Sequence, residues 1–335
     1  MAASLRVGLI GTGRIGQVHA LSVNSHPATT LHRVADVYLE GAHKTADQFG
    51  AEATGNPDDL FEAGDLDMVI IASPTSTHIE LLEKSIDAGI PALCEKPIDL
   101  DIARVDKLRD KANSTSVAIG LGFNRRFDPH FAALRARVKG GDIGPLEQLL
   151  ITSRDPAPAS TDYLAVSGGI FRDMTIHDFD MARYFVPEIV SVTAQGFNQF
   201  SDDIKKLGDY DATAVALRGS NDELVLISNS RHAAYGFDQR MEAFGRDGML
   251  RAENITDTNV LHYGPNQVEG RSPYQNFFLE RYMDSYRNEL DEFVKLVRGE
   301  ESNTPSFEDG RMALVLANAA TESAATGKTI SIPRD

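Results

Sequence analysis

A single cysteine, Cys94, is all the thiol chemistry in the 335-residue chain. One thiol cannot form an intramolecular disulfide, which excludes a disulfide-stapled extracellular fold and fits a reducing cytoplasm. With Pro91 and Leu93 beside it, Cys94 reads as a buried strand residue rather than a reactive thiol. No apolar stretch approaches the ~18 residues that would span a bilayer. The N-terminal apolar run is short and Arg14 follows it, so it does not read as a secretory signal. Cations are in deficit, with 33 Lys and Arg against 49 Asp and Glu, a net charge of −16. That charge repels phosphate backbones and anionic lipid, so neither nucleic acid nor membrane is an expected partner. None of the nine histidines shows a metal-ligand spacing such as His-Glu-x-x-His, and no metal is expected. The nearest imitation of a metal cluster is His177-Asp178 with Asp180. Internal repeats, low-complexity segments and long linkers are missing as well.

An apolar content of 42% suits a globular protein, and the length suits two domains. Over the first ~120 residues, short β-rich runs alternate with helical patterns, a rhythm that implies a doubly wound parallel sheet with right-handed crossovers. Strands are predicted at 5–10, 31–37, 67–72, 91–95 and 116–121, and helices near 14–25, 40–49, 57–64, 77–88 and 101–113. Thr77-x-x-Glu80 reads as a capping box, and Gly89 as the glycine that ends the same helix. After residue 122 the pattern changes. A helix starts at Asp128-Pro129, another covers about 172–185, and extended runs fill 145–154 and 189–253. Short polar turns between those runs imply a mostly antiparallel open sheet within an α+β domain. Helices at about 275–298 and 308–326 lead to a last strand at 329–332. The expected domains are 1–122 and 123–335, with the C-terminal segment able to return to the first.

The first strand runs directly into Gly11-x-Gly13-x-x-Gly16, which opens a helical stretch. That context suits a dinucleotide fingerprint. Gly11 permits the tight turn, Gly13 the approach of a pyrophosphate, and Gly16 close packing of helix on strand. The helix start then offers free N–H groups to the phosphates. Asp36 closes the second apolar run, 20 residues after Gly16, where a carboxylate would accept bonds from the adenosine ribose. These features call for NAD as cofactor. Arg33 is the one cation close to Asp36 in sequence.

Four further groups can carry chemistry. In Gly168-Gly-Ile-Phe-Arg-Asp173-Met-Thr-Ile-His177, a continuous helix would place Asp173 and His177 on one face, and a carboxylate beside an imidazole can orient it as a base. The same spacing also serves as an ordinary ion pair on a solvated helix. Lys96, in Glu95-Lys96-Pro97 at a strand end, can donate to a substrate oxygen or simply cap the strand. Ser73, Thr75 and His78 lie in Ser-Pro-Thr-Ser-Thr-His after the third predicted strand and suit either the nicotinamide ribose or a plain turn. Arg125 and Arg126 suit a polyhydroxylated substrate or a cofactor phosphate, and equally surface salt bridges.

In their order along the chain these motifs resemble the glucose–fructose oxidoreductase/inositol dehydrogenase (Gfo/Idh/MocA) family. The resemblance covers essentially the whole chain. It implies a Rossmann domain followed by an α/β domain whose open sheet forms an oligomer interface, with a homotetramer expected. It also implies catalytic roles for Lys96, Asp173 and His177. Gly11, Gly13, Arg14, Ile15, Gly16, Asp36, Ser73, Thr75, His78, Glu95 and Lys96 are implied as cofactor contacts. Arg126, Asp155 and Tyr235, with the three catalytic residues, are implied as substrate contacts. The stretches 229–245 and 278–286 are similar to bacterial members that oxidise myo-inositol to its 2-ketone in inositol catabolism. Other inositol isomers or a hexose stay open as substrates. So do a cofactor-retaining oxidoreductase, a glycosidase using NAD transiently, and a non-catalytic dinucleotide sensor.

Asp36 would repel the 2′-phosphate of NADP, and Val37 and Tyr38 bring no compensating cation. The chain is expected to prefer NAD to NADP in kcat/KM, and Asp36→Ala to narrow the preference. A higher kcat/KM with NADP than with NAD in the unmodified protein contradicts this.

Overall fold

The structure, a computed structural model, describes residues 4–333. The chain forms two compact units, the first running to Phe127 and including Asp284–Leu314, the second comprising Asp128–Met283 and the chain from Val315.

The first unit is built on β1 (Leu5–Ile10), β2 (Thr29–Ala35), β3 (Glu52–Thr54), β4 (Met68–Ile71), β5 (Ala92–Glu95) and β6 (Ile119–Gly122). Helices α1 (Arg14–Ser25), α2 (Leu39–Phe49), α3 (Asp58–Glu62), α4 (His78–Ala88) and α5 (Ile102–Ser114) connect them. All the pairings are parallel and the order is β3-β2-β1-β4-β5-β6. The order reverses between β1 and β4, where open sheets of this kind bind ligands at the carboxyl ends of their strands. Every residue of Met68–Ile71 is fully buried, as expected of a strand covered on both faces. The core of this unit gathers Val7, Leu9, Val34 and Ile70 with Leu290, Phe293 and Val294 from late in the chain.

The second unit continues through α6 (Pro129–Lys139), β7 (Leu146–Arg154), α7 (Thr161–Leu164), α8 (Ile170–Asp173), α9 (Ile176–Phe185), β8 (Ile189–Phe197) and α10 (Asp202–Lys206). It then adds β9 (Ala212–Gly219), β10 (Leu224–Ser230), β11 (Asp238–Gly245), β12 (Gly248–Ala252) and the hairpin β13 (Leu261–Gly264) and β14 (Gln267–Arg271). α11 (Phe278–Arg281) and β15 (Ile330–Ser331) complete it, whereas α12 (Met283–Val297) from Asp284 onward and α13 (Phe307–Thr326) as far as Leu314 belong to the first unit. Seven strands pair in the order β12-β11-β7-β10-β9-β8-β15, antiparallel except for β7 and β10. Register places Val215, Ile227, Ile151 and Met241 side by side on the buried face. The opposite face carries Leu226, Phe244 and Met249, each about 40–50% exposed.

The parallel sheet and the mixed, mostly antiparallel sheet agree with the expected architecture. Several local expectations are corrected. Helix 172–185 is broken, because Met174 and Thr175 separate α8 from α9, and helix 275–298 is likewise split at Tyr282. Thr77 makes no capping box: its hydroxyl donates to Pro74 O within the 3₁₀ turn Thr75–Thr77. Gly89 does end α4, at φ +71°. The edge strand β3 and the hairpin β13–β14 were not anticipated.

Phe293 is fully buried in the core of the first unit. Phe293→Ala is expected to cost roughly 3–5 kcal/mol, the range for truncating a core aromatic. Denaturant unfolding followed by circular dichroism checks this, and an unchanged midpoint contradicts it.

Candidate active site

β1 delivers the chain into a turn that only glycine can make. Gly11 has φ +97°, and a β-carbon there would lie 2.5 Å from Ala72 O. At Gly16 a β-carbon would lie 2.1 Å from Gly11 O, so α1 closes directly onto the turn. Gly13, the residue before α1, has open space where a side chain would be. The first turn of α1 contains no acid and no side-chain cap, which leaves its N–H groups for an anionic ligand. Arg14 is exposed at that helix start and Ile15 is half-buried.

Asp36 follows β2. Its Oδ2 accepts the N–H and the hydroxyl of Thr12, both at 2.7 Å, and its Oδ1 accepts Tyr38 N–H at 2.8 Å. Arg33 is directed away, with Nη2 2.6 Å from Asp65 and Nη1 2.6 Å from Glu52. Its hydrogen bonds hold the Asp65 carboxyl well below its ordinary range. These residues fit a dinucleotide with a free adenosine ribose: an open glycine turn, an uncapped helix start and a fixed carboxylate.

Beyond β4, Ser73 Oγ lies 2.7 Å from Thr77 Oγ1, and Thr75 is half-buried. His78 is 1% exposed, its ring nitrogens 2.8 Å from Pro97 O and 2.9 Å from Ser73 O. It thereby ties the loop after β4 to the loop after β5. Burial pushes its pKa below the ordinary imidazole value, against the pull of both carbonyls.

Glu95 ends β5 and is buried. Oε1 lies 2.8 Å from His19 Nε2 on α1, and Oε2 accepts the N–H of Lys96 at 3.3 Å. Lys96 is half-exposed, and its peptide to Pro97 is cis. Arg125 and Arg126 are buried in a 3₁₀ turn, with Arg126 Nη2 3.1 Å from Asp309. Burial alone would raise the Asp309 pKa, but Arg126 and the bonds from Ser306 outweigh it and hold the carboxyl below its ordinary value.

In the second unit, Asp173 is gripped from two sides. Tyr163 OH donates to Oδ1 at 2.7 Å, and Arg231 Nη1 to Oδ2 at 3.1 Å. Tyr163 is 47% exposed overall, but loss of water around its hydroxyl, followed by the Asp173 charge and hydrogen bond, raises its pKa and keeps the phenol a donor. Asp155 acts on the same phenol through its charge, which brings Asp155, Tyr163, Asp173 and Arg231 into one cluster. His177 is half-buried at the start of α9, between two residues that Asn229 holds. Asn229 Oδ1 accepts the Thr175 hydroxyl at 2.7 Å, and its Nδ2 donates to Asp178 at 2.7 Å. The helix breaks beside this hold, where Met174 departs from ideal helical geometry and Thr175 N–H donates to Ile170 O at 2.9 Å. Tyr235 belongs to another network: its hydroxyl accepts from Arg154 at 2.7 Å and donates to Asp238 at 2.8 Å. It lines a surface recess of about 500 Å³ with Arg154, Phe197 and His232.

Asp178 and Asp180 are both fully buried, and among the described residues no group of His, Cys, Asp and Glu is arranged to hold a metal. No helix among them is long and apolar enough to cross a membrane. Sequence patterns do not mark Thr12, His19, Tyr163 or Arg231, which bond Asp36, Glu95 and Asp173, or Asp209, which bonds Arg231.

Residues 5–123 match the model of an oxidoreductase family with an NAD-binding Rossmann fold, and residues 131–251 match the GFO/IDH/MocA C-terminal domain. The chain belongs to the Gfo/Idh/MocA family. Residues 5–123, within the first unit, are that family's NAD-binding Rossmann domain. An inositol 2-dehydrogenase of Rhizobium meliloti is 43% identical over 330 residues, covering 98% of this chain and 99% of that one. The crystal structure of a myo-inositol dehydrogenase from Corynebacterium glutamicum superposes with a TM-score of 0.96 at 53% identity, covering 99% of this chain and all of the other. A scyllo-inositol dehydrogenase from Lactobacillus casei, solved with NAD(H) and scyllo-inositol, matches with a TM-score of 0.89 at 28% identity, covering 98% of this Gfo/Idh/MocA chain and 99% of that one.

Proposed function

We propose that this chain oxidises a secondary alcohol of a cyclitol to a ketone with NAD, most specifically myo-inositol to 2-keto-myo-inositol. The observation that carries the reading is the retention of Lys96, Asp173 and His177 together, in a chain similar over its full length to inositol 2-dehydrogenases. Residues 1–122 serve the dinucleotide, and residues 123–335 serve substrate binding and assembly.

The glycine turn Gly11–Gly16, with Arg14 and Ile15, holds the diphosphate of NAD, and Asp36 accepts the ribose hydroxyls. Ser73, Thr75, Glu95 and Lys96 complete that site, with His78 fixing the loop that carries Ser73. When bound, NAD supplies the acceptor for the hydride that leaves the carbinol carbon. His177 takes the hydroxyl proton at Nε2, since its Nδ1 is buried. Lys96 donates a hydrogen bond to the same oxygen as negative charge gathers on it. Asp173 orients the base and meets a neighbouring hydroxyl, with Asp155, Arg126 and Tyr235 as further substrate contacts.

The site of action is the cytoplasm, in keeping with the single buried Cys94. The working form is a homotetramer, supported by the open sheet face bearing Leu226, Phe244 and Met249. Light scattering at micromolar concentration is expected to give a multiple of 36.5 kDa, and a monomer mass contradicts the assembly.

A positioned general base contributes typically ~10²–10⁴-fold. His177→Ala is therefore expected to lower kcat for myo-inositol by about that factor while NAD still binds. Oxidation by the unmodified protein should rise with pH, because a general base must be unprotonated to accept the hydroxyl proton. Near-normal turnover in His177→Ala, with cofactor binding intact, would pass the role of base to Lys96.

A further inference from the structure

Arg231 follows β10 and is 1% exposed, the bulkiest fully buried side chain among the described residues. Its two terminal nitrogens reach different carboxylates: Nη1 to Asp173 Oδ2 and Nη2 to Asp209 Oδ2, each at 3.1 Å. The other oxygen of Asp209 accepts Ile170 N–H at 2.8 Å, where α8 begins. Gly169 leaves room for that approach, since a β-carbon there would lie 3.1 Å from Asp209 Oδ1. Asp173 is the last residue of α8. The four residues of α8 are thus held at their first N–H by Asp209 and at their last side chain by Arg231, and Arg231 joins the two holders. A four-residue helix has no stability of its own, so this bracket sets where Asp173 stands.

For stability alone a buried cation is a poor choice, because well-packed apolar side chains of similar volume serve as well or better. What a planar guanidinium adds is aim, since its fork fixes the angle between two acceptors. Asp173 receives Arg231 on one oxygen and Tyr163 on the other, which leaves its carboxylate plane little freedom.

We infer that Arg231 is a positioning residue for the reaction, acting through Asp173 by fixing the α8 bracket; the inference rests on the reading that Asp173 works in catalysis. The test compares Arg231→Met, Arg231→Lys, Asp173→Asn and the double variant Asp173→Asn/Arg231→Met. It measures myo-inositol oxidation, NADH binding by fluorescence, and thermal unfolding. Arg231→Met is expected to lose about a hundredfold in kcat/KM, the scale of an ångström of misplacement, with Arg231→Lys recovering about tenfold of it. NADH binding should not change. The double variant should be no slower than Asp173→Asn alone, because residues acting as one unit are not additive. A purely structural role would instead multiply the two losses, and that result overturns the inference. So does Arg231→Met turning over within about twofold of the unmodified protein while Asp173→Asn is crippled. A fully active Asp173→Asn overturns the reading of Asp173, and this inference with it. Should Arg231→Met fail to fold, Arg231→Lys keeps the buried cation and carries the same test: its loss must vanish when Asp173→Asn is added.

Discussion

Removing a charge from water costs several kcal/mol unless partners meet it, and a partner lost from such a pair leaves the other stranded. The residues with chemical potential in this chain stand beside charges met in this way. Arg231 meets Asp173 and Asp209, Arg126 meets Asp309, His19 meets Glu95, and Arg281 meets Asp128. Those pairings fix the geometry. Glu95 is pinned to α1 through His19, so Lys96 leaves its strand from a fixed point. Asp173 is pinned through Arg231, and His177 sits between Thr175 and Asp178, both held by Asn229. A loose surface carboxylate would sample many orientations, whereas Asp173 is held by a guanidinium that cannot relax without leaving a buried charge unmet.

The cofactor end shows the same logic with backbone in place of side chains. Gly11 and Gly16 are required because a β-carbon at either would strike a carbonyl oxygen. Asp36 is held by Thr12, a residue of the glycine turn itself, so the carboxylate and the turn form one fixed loop. Arg33, the one cation close to Asp36 in sequence, is committed instead to Asp65 and Glu52.

The parts that were legible in the sequence are those whose cause is local. The run Leu5–Ile10, the glycine turn and the alternation of strand with helix each express a preference of a few adjacent residues, and the parallel sheet follows from them. The illegible parts have causes at a distance. Residues 172–185 carry a helical pattern, yet the helix breaks at Met174 and Thr175, where the Thr175 hydroxyl is held by Asn229, more than fifty residues later. β3 has three residues and exists only because β2 offers it an edge. Thr77 had the spacing of a cap, but its hydroxyl found Pro74 O in a tighter turn. Nothing local marks Arg231 as buried, since an arginine after a strand is ordinarily solvated.

The core of the first unit includes Leu290, Phe293 and Val294, whereas its strands are complete by Gly122. This has a consequence for the order of events on the ribosome. The parallel sheet emerges first, yet Asp128–Met283 must be made before the segment that closes its core appears. At about 5–20 residues per second, that interval is on the order of ten to thirty seconds. Throughout it, the apolar surface that Phe293 will cover stands open on a nascent chain. The unit that starts first is therefore completed late, and a ribosomal stall before residue 284 would strand an unfinished dinucleotide domain with an exposed core.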